Sequence, residues 1–493
     1  MPAPHLRRAF AAAVLLAGCA VAGCSNSGDG DVRVTVIGGN ASIVDPSGAP
    51  LTAPQEVLMS NAAQGLVRFD ARGQIEPGLA ERWNVTDDGL SYIFRLQSGE
   101  WPAGGKVTAN QIARLLKRQL AERSKNEIKD TFGVVSEIVP MTDRVLEIRL
   151  KAPRPNLLQL LAQPEMAIAR DGQGTGPFDI AADSKLPVLT LIRTVTSSDG
   201  EDARKEDVDL GTASAPDAIR AFLADKTDLV LGGTYADLPL IPRDKLARNA
   251  LRFDPAGGLF GLVPLRKDGP AGNLELRRLL SQAIDRQALI DALNVTGLLP
   301  RATVLEPGLD GVGPPVVPDW VATPIAQRRA PLAGAVASQL GGVESPTIRI
   351  ALPESRGAAL ILRRIATDWG ALGLKVEAAK RGQPADFALI DSVAPSTSPA
   401  WYVRQFRCGV VPICDSEADT AMDVARTSLI PAERGGQIAL AAAIIDRQQL
   451  FLPIAAPIRW SLVSDRVPGF ATNRYARHTL TDLTVRLNRE RAE

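Results

Sequence analysis

The chain has 493 residues, of which 45% are hydrophobic, so it is long enough for two or three domains and a sizeable core. Its 56 basic and 55 acidic residues give a net charge of +1. That balance argues against a nucleic-acid-binding protein, which would carry a basic face.

The first 24 residues are predicted to be a lipoprotein signal peptide. A basic leader, MPAPHLRR, precedes the apolar run AFAAAVLLAG, which is too short to span a bilayer as a permanent helix. LAGC ending at Cys19 and VAGC ending at Cys24 each resemble a bacterial lipobox, whose cysteine becomes lipidated. Cys24 is favoured because the polar stretch SNSGDGD follows it directly. The alternative is an ordinary signal peptide, and either one predicts export.

The clearest local pattern is a β-hairpin within IEPGLAERWNVTDDGLSYIFRL. Trp83 and Val85 alternate with polar residues before the turn DDG, and Tyr92, Phe94 and Leu96 alternate after it. This pattern predicts two strands with one buried face.

Other elements follow in chain order. Before residue 172 they are a strand at Val32–Ile37, a helix from Ala53 that ends near Gly65, a helix in GGKVTANQIARLLKRQL with a capping box of Thr108 and Gln111, and a strand at Val145–Leu150. GQGTGPF, at 172–178, fits a crossover between domains. Weak strands follow in PVLTLIR and DLVLGG, and the charged stretch TSSDGEDARKED predicts a surface loop.

The second half predicts alternating helices and strands. GNLELRRLLSQAIDRQALIDAL indicates a helix pair, with Asp285 capping the second helix. TIRIAL, AALILRRIATDWGALG and LKVEAA predict a βαβ unit whose helix stops at Gly373. ADFALID adds a strand, and RGGQIALAAAIIDRQQL predicts a long helix.

The two remaining cysteines, Cys408 and Cys414, are predicted to form a local disulfide, as is usual in an oxidising compartment. Half of a metal site is the alternative. No histidine lies near the pair, and His478 is the only histidine beyond the leader. We therefore expect no metal site and no cofactor.

The search for catalytic motifs gives no match. A P-loop would need glycine at Glu100 and serine or threonine at Val107, and GQGTGPF has Pro177 in place of the third glycine of G-x-G-x-x-G. G-x-S-x-G and H-E-x-x-H are absent from the sequence. A pair of carboxylates in a hydrolase remains an alternative, but the chain is not predicted to be an enzyme.

Several segments, in order, resemble the family 5 extracellular solute-binding proteins, the oligopeptide, dipeptide and nickel binding components of ABC importers. They are GLVRFD, PGLAERW, DDGLSYIFRL, GG, TANQI, GTGPF, AFLADKTDLVL, LRRLLSQAIDRQALIDAL and RVPGF. The resemblance implies an α/β, periplasmic-binding-protein-like fold of the cluster C type. Two hinge-linked lobes would flank a ligand cleft, beside an extra small domain.

The resemblance also implies a domain plan. After the signal peptide at 1–24, it consists of domain I at 25–54, 172–252 and 465–493, domain II at 55–171 and domain III at 253–464. The implied function is capture of a peptide or peptide-like solute for ABC permease subunits, by a monomer anchored through its lipid in the bacterial envelope. An envelope sensing or assembly role on the same fold is the main alternative.

The chain departs from this family where peptide-binding members have a tryptophan and an aspartate. Those positions fall near Ser392 and Pro395, and Asp391 could substitute only if the loop were rebuilt. A buried ammonium group needs an opposite charge, so recognition of a free peptide amino terminus lacks its usual partner. A nickel role is not favoured, because His478 would be the only imidazole.

Position in the implied fold gives nine candidate ligand contacts. Trp401, Tyr402 and Arg404 suit stacking and carboxylate pairing, and the backbone of Phe260, Gly261 and Leu262 would offer an edge to an extended ligand. The others are Trp101, Asn40 and Ser42. Packing within the protein is the alternative for Trp101, Trp401, Tyr402 and the three residues 260–262.

Overall fold

The structure is a computed structural model that describes residues 31–196, 203–341 and 346–484. The predicted signal peptide, with Cys19 and Cys24, lies outside these ranges. Within them, none of the helices combines the length and the apolar character that crossing a bilayer requires.

The strands are β1 (Val32–Ile37), β2 (Val67–Phe69), β3 (Ile75–Pro77), β4 (Ala80–Val85), β5 (Ser91–Leu96), β6 (Val135–Thr142), β7 (Val145–Leu150), β8 (Ala169–Arg170), β9 (Gln173–Gly174), β10 (Asp179–Ile180), β11 (Val188–Thr196), β12 (Ala203–Ala213), β13 (Leu229–Thr234), β14 (Leu251–Phe253), β15 (Gly258–Pro264), β16 (Thr347–Ala351), β17 (Lys375–Ala378), β18 (Phe387–Val393), β19 (Leu452–Ala455) and β20 (Arg459–Val463). The helices are α1 (Ala53–Asn61), α2 (Ala109–Gln119), α3 (Leu157–Leu161), α4 (Ala215–Leu223), α5 (Leu274–Ala283), α6 (Arg286–Leu293), α7 (Ile325–Leu340), α8 (Arg356–Gly370), α9 (Pro399–Arg404), α10 (Ser416–Thr427) and α11 (Pro431–Arg447).

Three larger sheets organise these elements. A seven-stranded sheet has the order β10-β11-β12-β1-β13-β20-β14, and a five-stranded sheet has the order β17-β16-β18-β15-β19. A four-stranded antiparallel sheet, β4-β5-β7-β6, packs with α2 and α3. We call this third unit the small domain.

The local signals in the sequence account for several of these elements. The predicted hairpin is confirmed as β4 and β5, with Trp83 opposite Phe94 and Val85 opposite Tyr92, but Val85 is 37% exposed and so does not belong to the predicted buried face. Phe94 is fully buried in the core of the small domain. At the start of α2, the predicted capping box of Thr108 and Gln111 is present.

Other elements correct the sequence predictions. Helix α1 ends at Asn61 rather than near Gly65. Gly65 instead permits a close approach, since a Cβ there would lie 2.3 Å from the carbonyl oxygen of Leu161. The charged stretch TSSDGEDARKED is predicted to be a surface loop, but its residues from Ala203 onward belong to β12. That strand pairs with both β1 and β11 and buries Val208 and Leu210.

One domain boundary is also corrected. The resemblance assigns residues 253–464 to one domain, but Arg459–Val463 forms β20, which pairs with β13 and β14 in the seven-stranded sheet. The chain therefore passes between the two main sheets at 254–257 and again at 456–458, rather than near 465. Strand β20 lies more than two hundred residues from its partners in the chain, so no local sequence pattern predicts this pairing.

A single apolar core runs through the contact between these two sheets. It joins Tyr235 and Trp460, which flank the end of the seven-stranded sheet, to Phe260 and Phe387 in the five-stranded sheet. We call this region the sheet joint.

Candidate functional site

Polar groups meet where strands of both main sheets end at the sheet joint. Tyr235 directly follows β13, and its ring lies 5.1 Å from that of Phe260 in β15. Arg459 begins β20 and pairs with Asp391 near the end of β18. Ligands of open α/β sheets bind just beyond the carboxyl ends of strands. The strand ends at this joint therefore form the candidate site.

The ion pair of Asp391 and Arg459 bridges the two sheets. Arg459 Nη1 donates to both carboxylate oxygens of Asp391, at 2.9 and 2.8 Å. The side chains are only 12% and 19% exposed. Burial raises the pKa of Asp391 and Arg459 opposes the rise, while burial and the charge of Asp391 raise the pKa of Tyr235 to about 12. The charge of Asp391 is thus already balanced within the protein.

Residues 394–398, which follow β18, lie against the small domain. Gln163 Nε2 donates to the Pro395 carbonyl oxygen at 2.7 Å, and the Thr397 amide donates to Gln159 Oε1 at 3.0 Å. Asn156 Nδ2 donates to Thr397 Oγ1 at 2.9 Å. We call this set of hydrogen bonds the small-domain contact. It is made of amide and hydroxyl groups that water can also satisfy.

The C-terminal segment ties the small domain to α1. Arg477 Nη2 lies 2.8 Å from Glu165 Oε1, its Nε donates to Gln163 Oε1 at 3.1 Å, and its Nη1 pairs with Glu56 on α1. Burial would lower the pKa of Arg477, but the charges of Glu165 and Glu56 raise it overall. This network therefore fixes the small domain to the seven-stranded-sheet side of the molecule.

A second buried network surrounds Glu306, close to the first crossing. The Tyr402 hydroxyl donates to Glu306 Oε1 at 2.6 Å, and Arg301 and Arg474 both pair with the same carboxylate. Burial raises the pKa of Tyr402. Gly257 leaves the necessary room, since a Cβ there would lie 2.5 Å from Glu306 Oε1.

The nine predicted ligand contacts lie in separate surroundings. Trp101 is buried in the small-domain core, where its Nε1 donates to Gln111 Oε1 at 3.0 Å. Ser42 accepts a hydrogen bond from Gln55, and Asn40 is exposed. Trp401 packs edge-on against the buried Tyr402. Of the nine, Arg404 lines a cavity that faces the small domain.

The edge-strand prediction for Phe260, Gly261 and Leu262 is wrong. Strand β15 pairs with β18 on one side and with β19 on the other, so its backbone is already hydrogen-bonded. Phe260 and Leu262 are fully buried. A bound chain could not add to the sheet at this position.

The groups that make the small-domain contact were missed. Asn156, Gln159 and Gln163 are spaced like one face of a helix in the otherwise apolar stretch NLLQLLAQ. This spacing of amide side chains is the sequence feature that could have predicted the small-domain contact. No sequence pattern indicates the ion pair of Asp391 and Arg459, because it joins residues 68 apart in the chain.

The structure also bears on the predictions about metal sites and about the two cysteines. The parts of the chain that the structure describes contain no group of three or more His, Cys, Asp or Glu side chains arranged to hold a metal. His478 is buried, with Nε2 lying 3.2 Å from Asp254 Oδ2. Cys408 and Cys414 are joined by a disulfide in the loop after α9.

Comparison with known proteins gives four informative similarities. Residues 74–392 match the profile of the bacterial extracellular solute-binding proteins, family 5 Middle. The probable deoxycholate-binding periplasmic protein YgiS of Escherichia coli K12 is 26% identical over 327 residues, which cover 58% of each chain. The chain thus spans little more than half the length of that relative.

Two further matches cover nearly the whole chain. The probable di/tripeptide-binding protein 5 of Pseudomonas aeruginosa is 23% identical over 491 residues, or 88% of this chain and 91% of that protein. The structure of Haemophilus influenzae OppA in complex with RPPGFSPFR has a TM-score of 0.76 at 16% identity, over 92% of this chain and 98% of that one.

Proposed function

The chain belongs to family 5 of the bacterial extracellular solute-binding proteins and has the two-lobed α/β fold of periplasmic binding proteins, and on that premise we propose that it is the solute-binding lipoprotein of a peptide-type ABC importer. In this role it captures a peptide or peptide-like solute between its lobes and delivers it to the permease subunits. We place it in the bacterial periplasm as a monomer, held at the membrane by a lipid on Cys24 or Cys19.

The observation that carries the proposal is the position of residues 394–398. They follow β18 beside the sheet joint and face the small domain through hydrogen bonds. Rotation about the two short crossings at 254–257 and 456–458 would separate these surfaces. Hinge rotation of this kind opens and closes two-lobed binding proteins around a ligand.

The relatives favour a peptide-type solute without fixing it. The relative matched over 91% of its length is named for di- and tripeptides, and the OppA structure contains a peptide. YgiS, however, is named for deoxycholate. Because Asp391 is neutralised by Arg459, we infer that a free peptide amino terminus would need a different partner.

Acidic groups near the site support binding rather than hydrolysis. Asp391 pairs with Arg459, Glu306 pairs with Arg301 and Arg474, and a hydrolase would instead keep one carboxyl group free for proton transfer.

Native mass spectrometry of the gently purified mature protein tests the proposal. We expect bound masses that resolve, after release, into peptides or one peptide-like compound. A non-peptide mass would replace the solute class but retain the transport role. A protein that is empty, and that binds no member of a tripeptide mixture, would favour the envelope sensing or assembly role.

The lipid anchor is tested separately by intact mass of the membrane-extracted protein. A Cys24→Ala variant is expected to lose the lipid, and a Cys19→Ala variant to keep it. The reverse result would assign the anchor to Cys19. A lipid-free mature wild-type protein would contradict both assignments.

A further inference from the structure

A cavity lined by arginines lies where the small domain meets α9, α10 and α11. Its volume is about 40 Å³, and its basic residues are Arg154, Arg404, Arg407, Arg426 and Arg434. A neighbouring cavity of about 110 Å³ shares Arg154 and Arg434 and reaches Asn156, Asp310 and Ser398. The two cavities therefore lead from the arginines to the small-domain contact.

Two of these arginines are neutralised by carboxylates on α10. Arg407 lies 3.0 Å from Asp423 and 3.9 Å from Asp419, and Arg426 lies 3.4 Å from Asp423. These pairs account for the acidic groups of α10 nearest to the cavity.

The other three guanidinium groups have no such partner. Among the described residues, no carboxylate lies within ion-pairing distance of Arg154, Arg404 or Arg434, although the charge of Asp130 acts on Arg404 from further away. Arg434 Nη1 donates to the Pro153 carbonyl oxygen at 2.6 Å, while the buried Nε of Arg154 has no hydrogen-bond partner. Burial lowers the pKa of Arg154 to about 10, and the charges of Arg404 and Arg434 contribute.

These three groups come from both sides of the surface that opens. Arg154 precedes α3 in the small domain, whereas Arg404 ends α9 and Arg434 lies in α11. Like charges that are brought together and partly desolvated oppose closure unless an opposite charge joins them. A planar guanidinium group suits the oxygens of carboxylate or phosphate, which can accept two parallel hydrogen bonds.

We propose that Arg154, Arg404 and Arg434 form an oxyanion site that holds the small domain against α9 and α11. The oxyanion is either a free inorganic ion or the acidic group of a captured solute. The site itself stands without the proposed transport function, and only the second source rests on it. In both cases binding the anion favours the closed form, because the arginines that grip it belong to separate units.

The first experiment measures the thermal midpoint of the mature protein in sodium phosphate and in sodium chloride at equal ionic strength. A ligand that binds the folded state raises the midpoint in a saturable way. We expect such a rise with phosphate, and an apparent phosphate Kd weakened at least about tenfold in Arg154→Gln and Arg404→Gln. Arg123→Gln, which removes an exposed arginine of the small domain, is expected to retain wild-type binding.

Circular dichroism checks that each variant is folded, and Arg404→Lys provides a second variant that keeps the charge but loses the planar fork. It is expected to bind phosphate more weakly than the wild type and more tightly than Arg404→Gln. Equal phosphate binding by the wild type, Arg154→Gln and Arg404→Gln would overturn an inorganic-anion site.

The second experiment distinguishes the sources by calorimetry with the tripeptides Ala-Glu-Ala and Ala-Gln-Ala. A preference for the glutamyl peptide that disappears in Arg404→Gln assigns the site to an acidic group of the solute. Arginine-dependent phosphate binding without that preference assigns it to a free anion. If neither effect is seen, the oxyanion site is wrong. If every variant binds both peptides equally, peptide capture is supported although the arginines do not recognise the acidic group. If phosphate binds but neither peptide does, the result contradicts peptide capture and leaves the oxyanion site supported.

Discussion

The sheet joint and the small-domain contact are built in opposite ways. The joint contains a continuous apolar core with Tyr235, Phe260 and Trp460, two chain crossings and a buried ion pair. The small-domain contact consists of hydrogen bonds between side-chain amides and residues 394–398, next to a cavity lined by five arginines, of which Arg154, Arg404 and Arg434 have no carboxylate partner among the described residues. The sheet joint is stabilised by burial of apolar surface, whereas the small-domain contact is held by hydrogen bonds that water can replace.

This difference separates a pivot from an opening surface. Separating apolar surface costs about 25 cal/mol per Å², whereas a neutral hydrogen bond given up to water costs only about 0.5–1.5 kcal/mol net. The molecule can therefore part at the small-domain contact while the sheet joint persists. The following predictions test this division, from the largest expected effect to the smallest.

Removal of the charge at the joint should cost the most stability. Arg459→Met leaves Asp391 buried without its partner, and we expect the free energy of unfolding to fall by about 3–5 kcal/mol. Arg95→Met is the matched control, because Arg95 and Glu81 are also 2.8 Å apart but roughly 40% exposed. We expect the control to cost less than about 1 kcal/mol. Equal losses in urea denaturation would show that burial at the joint is unimportant.

The first crossing should tolerate no side chain at Gly258. This glycine has φ +147°, and a Cβ there would lie 2.1 Å from the Ser392 carbonyl oxygen. Gly258→Ala should therefore reduce stability by about 2–3 kcal/mol. Gly104 has φ +91° with nothing within 4 Å, so Gly104→Ala isolates the backbone strain at about 1 kcal/mol. Denaturation curves that coincide for the two variants would refute a steric constraint at the crossing.

The disulfide should contribute stability outside the joint. Replacing both Cys408 and Cys414 by serine opens a short loop, which is expected to cost about 2 kcal/mol by loop entropy. Because Arg404 and Arg407 lie on or just after α9, the double variant should also weaken phosphate binding several-fold. Wild-type protein under a reducing agent should reproduce both effects. Unchanged denaturation after reduction would contradict the prediction.

The sequence predicted elements whose cause is local and missed those whose cause is distant. Alternation was sufficient for β1 and β5, it located β4 without predicting that Val85 is exposed, and the capping box located the start of α2. The pairing of β20 with β13, and of β12 with β1, depends on segments far apart in the chain. Strand propensity does not contain that information.

The candidate site was less predictable for a related reason. The sequence predicts Tyr402 as a stacking contact for the ligand, but the fold buries it against Glu306. The sequence predicts Arg404 as a partner for a carboxylate, and in the structure it lines the arginine cavity. The arginines that share this cavity include Arg154 of the small domain and Arg434 of α11, so no window of sequence around Arg404 could reveal them.

The smallest effect on stability is expected at the small-domain contact. Gln159 Oε1 accepts hydrogen bonds from the amide and hydroxyl groups of Thr397. Gln159→Ala leaves the Thr397 amide to water, whereas the Thr397 hydroxyl can still donate to Asp310, so the free energy of unfolding should fall by less than about 1 kcal/mol. The same loss acts on the opening equilibrium, where about 1 kcal/mol changes the open fraction roughly fivefold. Small-angle scattering should show a larger mean radius of gyration, with Gln287→Ala, on an exposed part of α6, as the unchanged control. A loss of stability as large as that of Arg459→Met, without expansion, would make this contact part of the rigid core and remove the distinction between pivot and opening surface.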